Sequence, residues 1–261
     1  MKSITGVFRS SSDAERALAQ FRELALPEDR LTLLTPADAR SGKAIPSVST
    51  EQPGMGKAIG ALVGGAAGFS GGPLLMAVLI PGVGPITAVG LLGGACLAAM
   101  GATAGAAVGG RTETLMTDGL PGDELFVYED ALRKGRSVLI AMADDESEAA
   151  RFRELLSTEG AESVDSAREA WWVGLRSAEQ ERYTVHNRNF GEDEKFYRTG
   201  FESALHARTR CKEYDQVMNE MTAQMEDVER SNGTAAADAF RRGYERGRDY
   251  YQMLCGEKKA A

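Results

Sequence analysis

Cysteine and histidine are scarce, with three and two in 261 residues. Three cysteines cannot staple a scaffold of this size. Cys96 falls in an apolar stretch, where a desolvated thiol is inert packing. Cys211 and Cys255 fall in a polar region and read as structural thiols. His186 and His206 have no cysteine or carboxylate at a metal-ligand spacing. Positive charge is in deficit: 30 Lys+Arg stand against 38 Asp+Glu, a net charge of −8. That excludes nucleic-acid binding through bulk charge. No HExxH, CxxC or Walker-type GK[ST] occurs, so the motifs that announce zincins, redox pairs and nucleotide sites are missing. The start, MKSITGVFRS, has no apolar signal-peptide core.

The longest absence is local. From Ala58 to Gly110, 53 residues pass without a charged side chain, bracketed by Lys57 and Arg111. Seventeen of the 30 glycines lie between Gly54 and Gly110. Gly56, Gly60, Gly64, Gly68 and Gly72 recur every four residues, as do Gly101, Gly105 and Gly109. A spacing of four places small residues on one helical face, where another backbone can approach closely. Pro81-Gly82-Val83-Gly84-Pro85 divides the run with a turn. Each arm, at ~1.5 Å per residue, is long enough for a ~30 Å hydrocarbon layer. The expectation is a glycine-zipper helical hairpin over 54–110 that self-associates and sits in or on the membrane. The alternative is a soluble homo-oligomer that buries the hairpin.

On either side the chain is amphipathic. Ile4 to Phe8 reads as a strand, Ser12 with Glu15 as a capping box, and Ala14, Ala17, Leu18, Phe21 and Leu24 as one helical face. Leu31 to Leu34 reads as a second strand. The layout returns at an offset of 131, where Phe21-Arg22-Glu23-Leu24 matches Phe152-Arg153-Glu154-Leu155 and Leu33 matches Val164. Asp145 with Glu148 caps the second helix. Two βαβ halves predict an α+β, ferredoxin-like βαββαβ sheet interrupted by the apolar hairpin. A short helix with the stripe Leu125, Tyr128, Ala131 and Leu132 precedes the third strand, and Gly135 ends it. Trp171-Trp172 marks the edge of the second half. Residues 176–261 read as an α-helical appendage. Within it Tyr197-Arg198-Thr199-Gly200-Phe201-Glu202 resembles Phe240-Arg241-Arg242-Gly243-Tyr244-Glu245 at an offset of 43. The expected division is therefore 1–53, 54–110, 111–175 and 176–261.

Two charged clusters complete the inventory. Asp144-Asp145-Glu146-Ser147-Glu148 fits compensation of a helix dipole better than a cation site. Arg241, Arg242, Arg246 and Arg248, interleaved with Tyr244, Tyr250 and Tyr251, fit pairing with neighbouring acids better than phosphate binding. Neither supplies a catalytic, cofactor or metal residue.

Gly6-Val7-Phe8, Asp13-Ala14-Glu15-Arg16-Ala17, Leu33-Leu34-Thr35-Pro36, Ile80 to Pro85, Tyr128-Glu129, Leu132-Arg133-Lys134-Gly135 and Val138 to Ala141 form an ordered set. Over residues 3–166 the chain resembles the bacterial general stress protein family of the heat-induced type. In that family a ferredoxin-like domain is split by a glycine-rich apolar hairpin. The resemblance implies a stress-associated, non-enzymatic role, with membrane association and no catalytic residues. Lys57 and Arg111, at the two flanks of the hairpin, place both flanks on the cytoplasmic side, so the expected location is the cytoplasmic membrane with soluble parts in the cytoplasm; a wholly cytoplasmic location goes with the oligomer alternative. The expected partners are further copies of the chain, the membrane, and a protein docking on the C-terminal helices.

Overall fold

The computed structural model describes residues 2–24, 26–36, 75–80, 83–90, 122–184, 189–210, 212–218 and 234–256. The chain is α+β and divides into two compact units. One comprises Met1–Pro121 with Val127–Ala167; the other comprises Gly122–Phe126 with Arg168–Ala261.

The first unit is built on an antiparallel sheet. Strands β1 (Lys2–Phe8), β2 (Leu31–Pro36), β3 (Leu75–Ile80), β4 (Gly84–Val89), β5 (Ser137–Ala143) and β6 (Glu162–Ser163) lie in the order β3-β4-β2-β5-β1-β6. Strand β5, SVLIAMA, is buried along its whole length, as a central strand covered on both faces must be. Helices α1 (Ser11–Glu23) and α3 (Glu146–Thr158) supply Ala14, Ala17, Leu18, Phe21, Ala149, Phe152 and Leu156 to one core with Ile4, Phe8, Leu31, Leu33, Leu139 and Ala141. Phe21 and Phe152 meet edge to face, ring centroids 5.1 Å apart. The short helix α2 (Leu125–Arg133) buries Leu125, Tyr128, Ala131 and Leu132, the expected stripe. Tyr128 reaches the sheet through its hydroxyl, 2.9 Å from Oγ1 of Thr5. Gly135, at φ +77°, ends α2: its N–H donates to Leu132 and that of Arg136 to Ala131, a left-handed cap open to glycine.

The two halves repeat, but at an offset of 135 rather than 131. Strand 2–8 maps on 137–143, cap Ser10 on Asp145, and helix 11–23 on 146–158, each 135 residues apart. Residues so related sit opposite each other where Thr5 pairs with Ile140, which marks a local pseudo-two-fold axis. The sequence match at 131 is displaced by four residues. That is close to one helical turn, so it preserves the apolar face while misplacing each residue along it. The first cap is likewise Ser10, whose Oγ accepts from Asp13 N–H at 3.2 Å, and not Ser12. Asp145 caps α3 as expected, accepting from Glu148 N–H at 2.8 Å.

Three expectations are overturned. Leu75–Ile80 and Gly84–Val89 are not helical arms. They are strands of a β-hairpin whose second strand pairs with β2 from Leu33↔Val89 to Pro36↔Ile86. The turn between them was legible, but six-residue apolar runs flanked by Pro and Gly suit a buried strand as well as a helix. The fourth strand shrinks to Glu162–Ser163. Val164 instead opens helix α4 (Val164–Thr184), because Oγ of Ser163 accepts from Ser166 N–H at 3.2 Å and starts the turn. Trp171 and Trp172 lie inside α4, which runs through the expected boundary at 175/176 without a break.

The second unit is helical. Besides α4 it holds α5 (Phe190–Leu205), a helical turn over 214–218, and α6 (Thr234–Gly256). Asn189 caps α5, its side chain accepting from Gly191 N–H at 3.1 Å. The core is aromatic: Phe126, Trp171, Trp172, Tyr183, Phe190, Tyr197, Phe201 and Tyr244 are all buried. Ring pairs such as Phe126–Trp171 at 4.8 Å and Tyr183–Tyr197 at 5.1 Å take the tilted or edge-on geometries that the ring quadrupole favours.

Candidate functional site

The glycines expected to form the helix-packing interface, Gly56, Gly60, Gly64, Gly68, Gly72, Gly101, Gly105 and Gly109, lie outside the described residues, as do Cys96, Cys211 and His186. Among the described residues no helix is long and apolar enough to cross a membrane. No group of three or more His, Cys, Asp or Glu among them could hold a metal ion.

Close glycine packing occurs elsewhere, at the crossing of α5 and α6. A Cβ placed on Gly200 would collide with the carbonyl oxygen of Phe240, and one on Gly243 with that of Tyr197. The repeat offset of 43 relates Gly200 to Gly243 and Tyr197 to Phe240, so the contacts are reciprocal. The next turn repeats the device, with Ala204 facing Gly247, whose added Cβ would stand 3.0 Å from that of Ala204. Each helix thus carries a small-xxx-small pair, Gly200/Ala204 and Gly243/Gly247. The sequence held the signal in its 43-residue repeat, but repetition alone does not reveal that the two copies face each other.

Around this crossing lie buried charges. Glu179 on α4 is 1% exposed. Its Oε2 accepts from the Tyr197 hydroxyl at 2.8 Å and from Arg246 Nε at 3.0 Å, and its Oε1 accepts from Arg246 Nη2 at 2.8 Å. Both carboxylate oxygens are therefore engaged by a bidentate guanidinium, the geometry that best offsets the desolvation of an ion pair. Burial, followed by the charge of Glu179, pushes the Tyr197 phenol far up, so it stays protonated as a donor. A second pair lies along the same helices. Glu194 accepts from Arg176 Nε at 2.7 Å and Nη2 at 2.6 Å, and from the indole N–H of Trp172 at 3.0 Å. The Arg176 hydrogen bonds hold its carboxyl below the usual range, while burial opposes them. These carboxylates pin α4 to α5 and α6. Their lone pairs are committed to arginine, tyrosine and tryptophan, which suits a structural role.

The remaining candidates resolve in the same direction. Arg241 pairs with Glu245 at 2.9 Å and Arg242 with Asp238 at 3.4 Å, both within α6, while Arg248 pairs with Glu213. Tyr244 donates to the carbonyls of Thr209 at 3.1 Å and Lys212 at 3.2 Å. In the acidic run Asp145 is a cap, Glu146 bonds Lys2 and Arg153, and Glu148 accepts from Asp144 N–H and pairs with Arg30. The Asp144 N–H, followed by Arg30, holds the Glu148 carboxyl below its usual range against the cost of burial. Cys255 is a free, half-buried thiol near the end of α6. The chain matches no protein-family model, no curated protein and no solved structure.

Proposed function

We propose that the protein is a non-enzymatic, stress-associated scaffold of the general stress protein type. In this reading it assembles with further copies of itself through the charge-free segment 54–110. The observation that carries the reading is the hairpin built from that segment. Strand β3, Leu75–Ile80, contains no charged residue and no proline. Among the described residues it pairs only with β4, at the end of the sheet. Sheet edges are ordinarily protected by charge, proline or a bulge, and an uncharged edge invites another strand. The order β2-β5-β1-β6, with α1 and α3 in one core, supports the finer reading of this unit as a ferredoxin-like βαββαβ sheet with the hairpin added beside β2. Commitment of Glu179 and Glu194 to arginine supports a structural rather than a catalytic helical unit.

The oligomer takes precedence over the membrane hairpin because Leu75–Ile80 and Gly84–Val89 are strands of the sheet. Fractionation with size analysis tests the choice. A defined oligomer in detergent-free buffer supports the scaffold, and its location is then cytoplasmic. Detergent-dependent pelleting supports attachment to the cytoplasmic membrane instead. Gly64→Leu with Gly68→Leu is expected to weaken assembly while leaving the sheet folded.

A further inference from the structure

Helix α5 ends at His206, and the segment Gly122–Phe126 lies against it within the helical unit. Its contacts include a hydrogen bond and a ring stack. The Ala207 N–H donates to the Gly122 carbonyl at 3.1 Å. The imidazole stacks on Phe126, with centroids 6.3 Å and planes 23° apart, and Phe126 in turn rests on Trp171 at 4.8 Å. Three charged groups act on the imidazole electrostatically: Asp123 of the strap favours its protonation, while Arg168 of α4 and Arg210 of the turn after α5 oppose it. Arg168 also lies over the Phe126 ring, 5.8 Å from its centroid. A proton on His206 would therefore bring a third cation into a largely dry setting that already holds two arginines and one carboxylate, and would desolvate it there.

We propose that His206 is an acid-operated latch: the neutral ring holds the strap Gly122–Phe126 on the helical unit, and protonation releases it. This is independent of the self-assembly reading. Burial first, reinforced by Arg168 and Arg210 and opposed by Asp123, lowers the imidazole from 6.5 to about 4. A released ring binds its proton more readily than a latched one, so acid favours release. The bias begins below the ordinary histidine value and saturates near the lowered one. The gap between the two multiplies the released population by up to roughly 300-fold.

The full chain carries its own reporters, because its only two tryptophans, Trp171 and Trp172, are both buried in this cluster. Taking the protein from about pH 7 to about pH 4 is expected to change tryptophan emission and to expose the Ala207 amide to hydrogen exchange. His206→Gln, which cannot take the proton, is expected to keep the Ala207 amide protected and to leave only the part of the emission change that comes from Glu194 beside Trp172. The latch is overturned if the Ala207 amide of the wild-type chain stays protected over this range, or if His206→Gln keeps the full response. Should His206→Gln fail to fold, imidazole titration of the wild type decides, with His186→Gln identifying the second signal. A His206 ring that titrates at its ordinary value in the folded protein also overturns the proposal.

Discussion

The sheet unit and the helical unit are both built by internal repetition, but they use it in opposite ways. In the sheet unit the copies are 135 residues apart and share an aliphatic core in which Ala14 and Ala149, or Phe21 and Leu156, hold equivalent places. Side chains of different size are tolerated there because a sheet and two helices can shift to fill the space. In the helical unit the copies are 43 residues apart and meet backbone to backbone at Gly200 and Gly243. Polar side chains then surround the crossing, with Glu179 bridging Tyr197 and Arg246. The first unit should therefore forgive changes in volume, and the second should not.

The sharpest break is expected at the crossing. Gly243→Leu should cost about 3 kcal/mol or more, because its Cβ meets a backbone carbonyl that cannot turn aside. Loss of the α4–α6 helical signal in denaturant titration checks it. Arg246→Met should cost roughly 3–5 kcal/mol by stranding the buried Glu179. Adding Glu179→Gln to the same chain should recover part of that loss, and an unchanged double variant would argue against the pair. In the sheet unit the matching weak points are the caps. Asp145→Ala and Ser10→Ala should each cost about 1 kcal/mol, and thermal unfolding of that unit should read the two losses as similar if the 135-residue repeat is energetic as well as geometric.

Acid offers a smaller effect. Arg176 holds Glu194 below its ordinary 4.5, so the pair stabilises the fold above that value and fades as pH falls through the lowered one. Arg176 is 43% exposed, so solvent screening keeps the contribution small. Arg176→Gln should flatten the stability profile on the acid side of the carboxylate range and leave it unchanged near neutrality. The smallest change carries the opposite sign. Gly174, in α4 with nothing near its missing Cβ, should gain up to about 1 kcal/mol on replacement by Ala.

Periodicity made much of the sheet unit legible. The apolar faces of α1, α2 and α3, the run of β5 and the cap at Asp145 follow from spacing alone. What it could not resolve are choices that leave the local pattern unchanged. A slip of four residues keeps a helix face in phase, which hid the true repeat. A run such as Leu75–Ile80 is apolar throughout and has no phase to read, so strand and helix were equivalent until β2 offered a partner. Ser163 could open a turn or extend a strand, and its hydrogen bond to Ser166 decided for the helix. Glu179 and Arg246 are 67 residues apart, and nothing local in the sequence marks the carboxylate as buried.

Sedimentation velocity of the full chain in detergent-free buffer, beside the Gly64→Leu/Gly68→Leu variant, tests self-assembly through segment 54–110 most directly. Self-assembly predicts a defined oligomer that the double substitution dissociates into folded, smaller species. A wild-type chain that sediments as a monomer at every concentration, or an oligomer indifferent to both leucines, would contradict it.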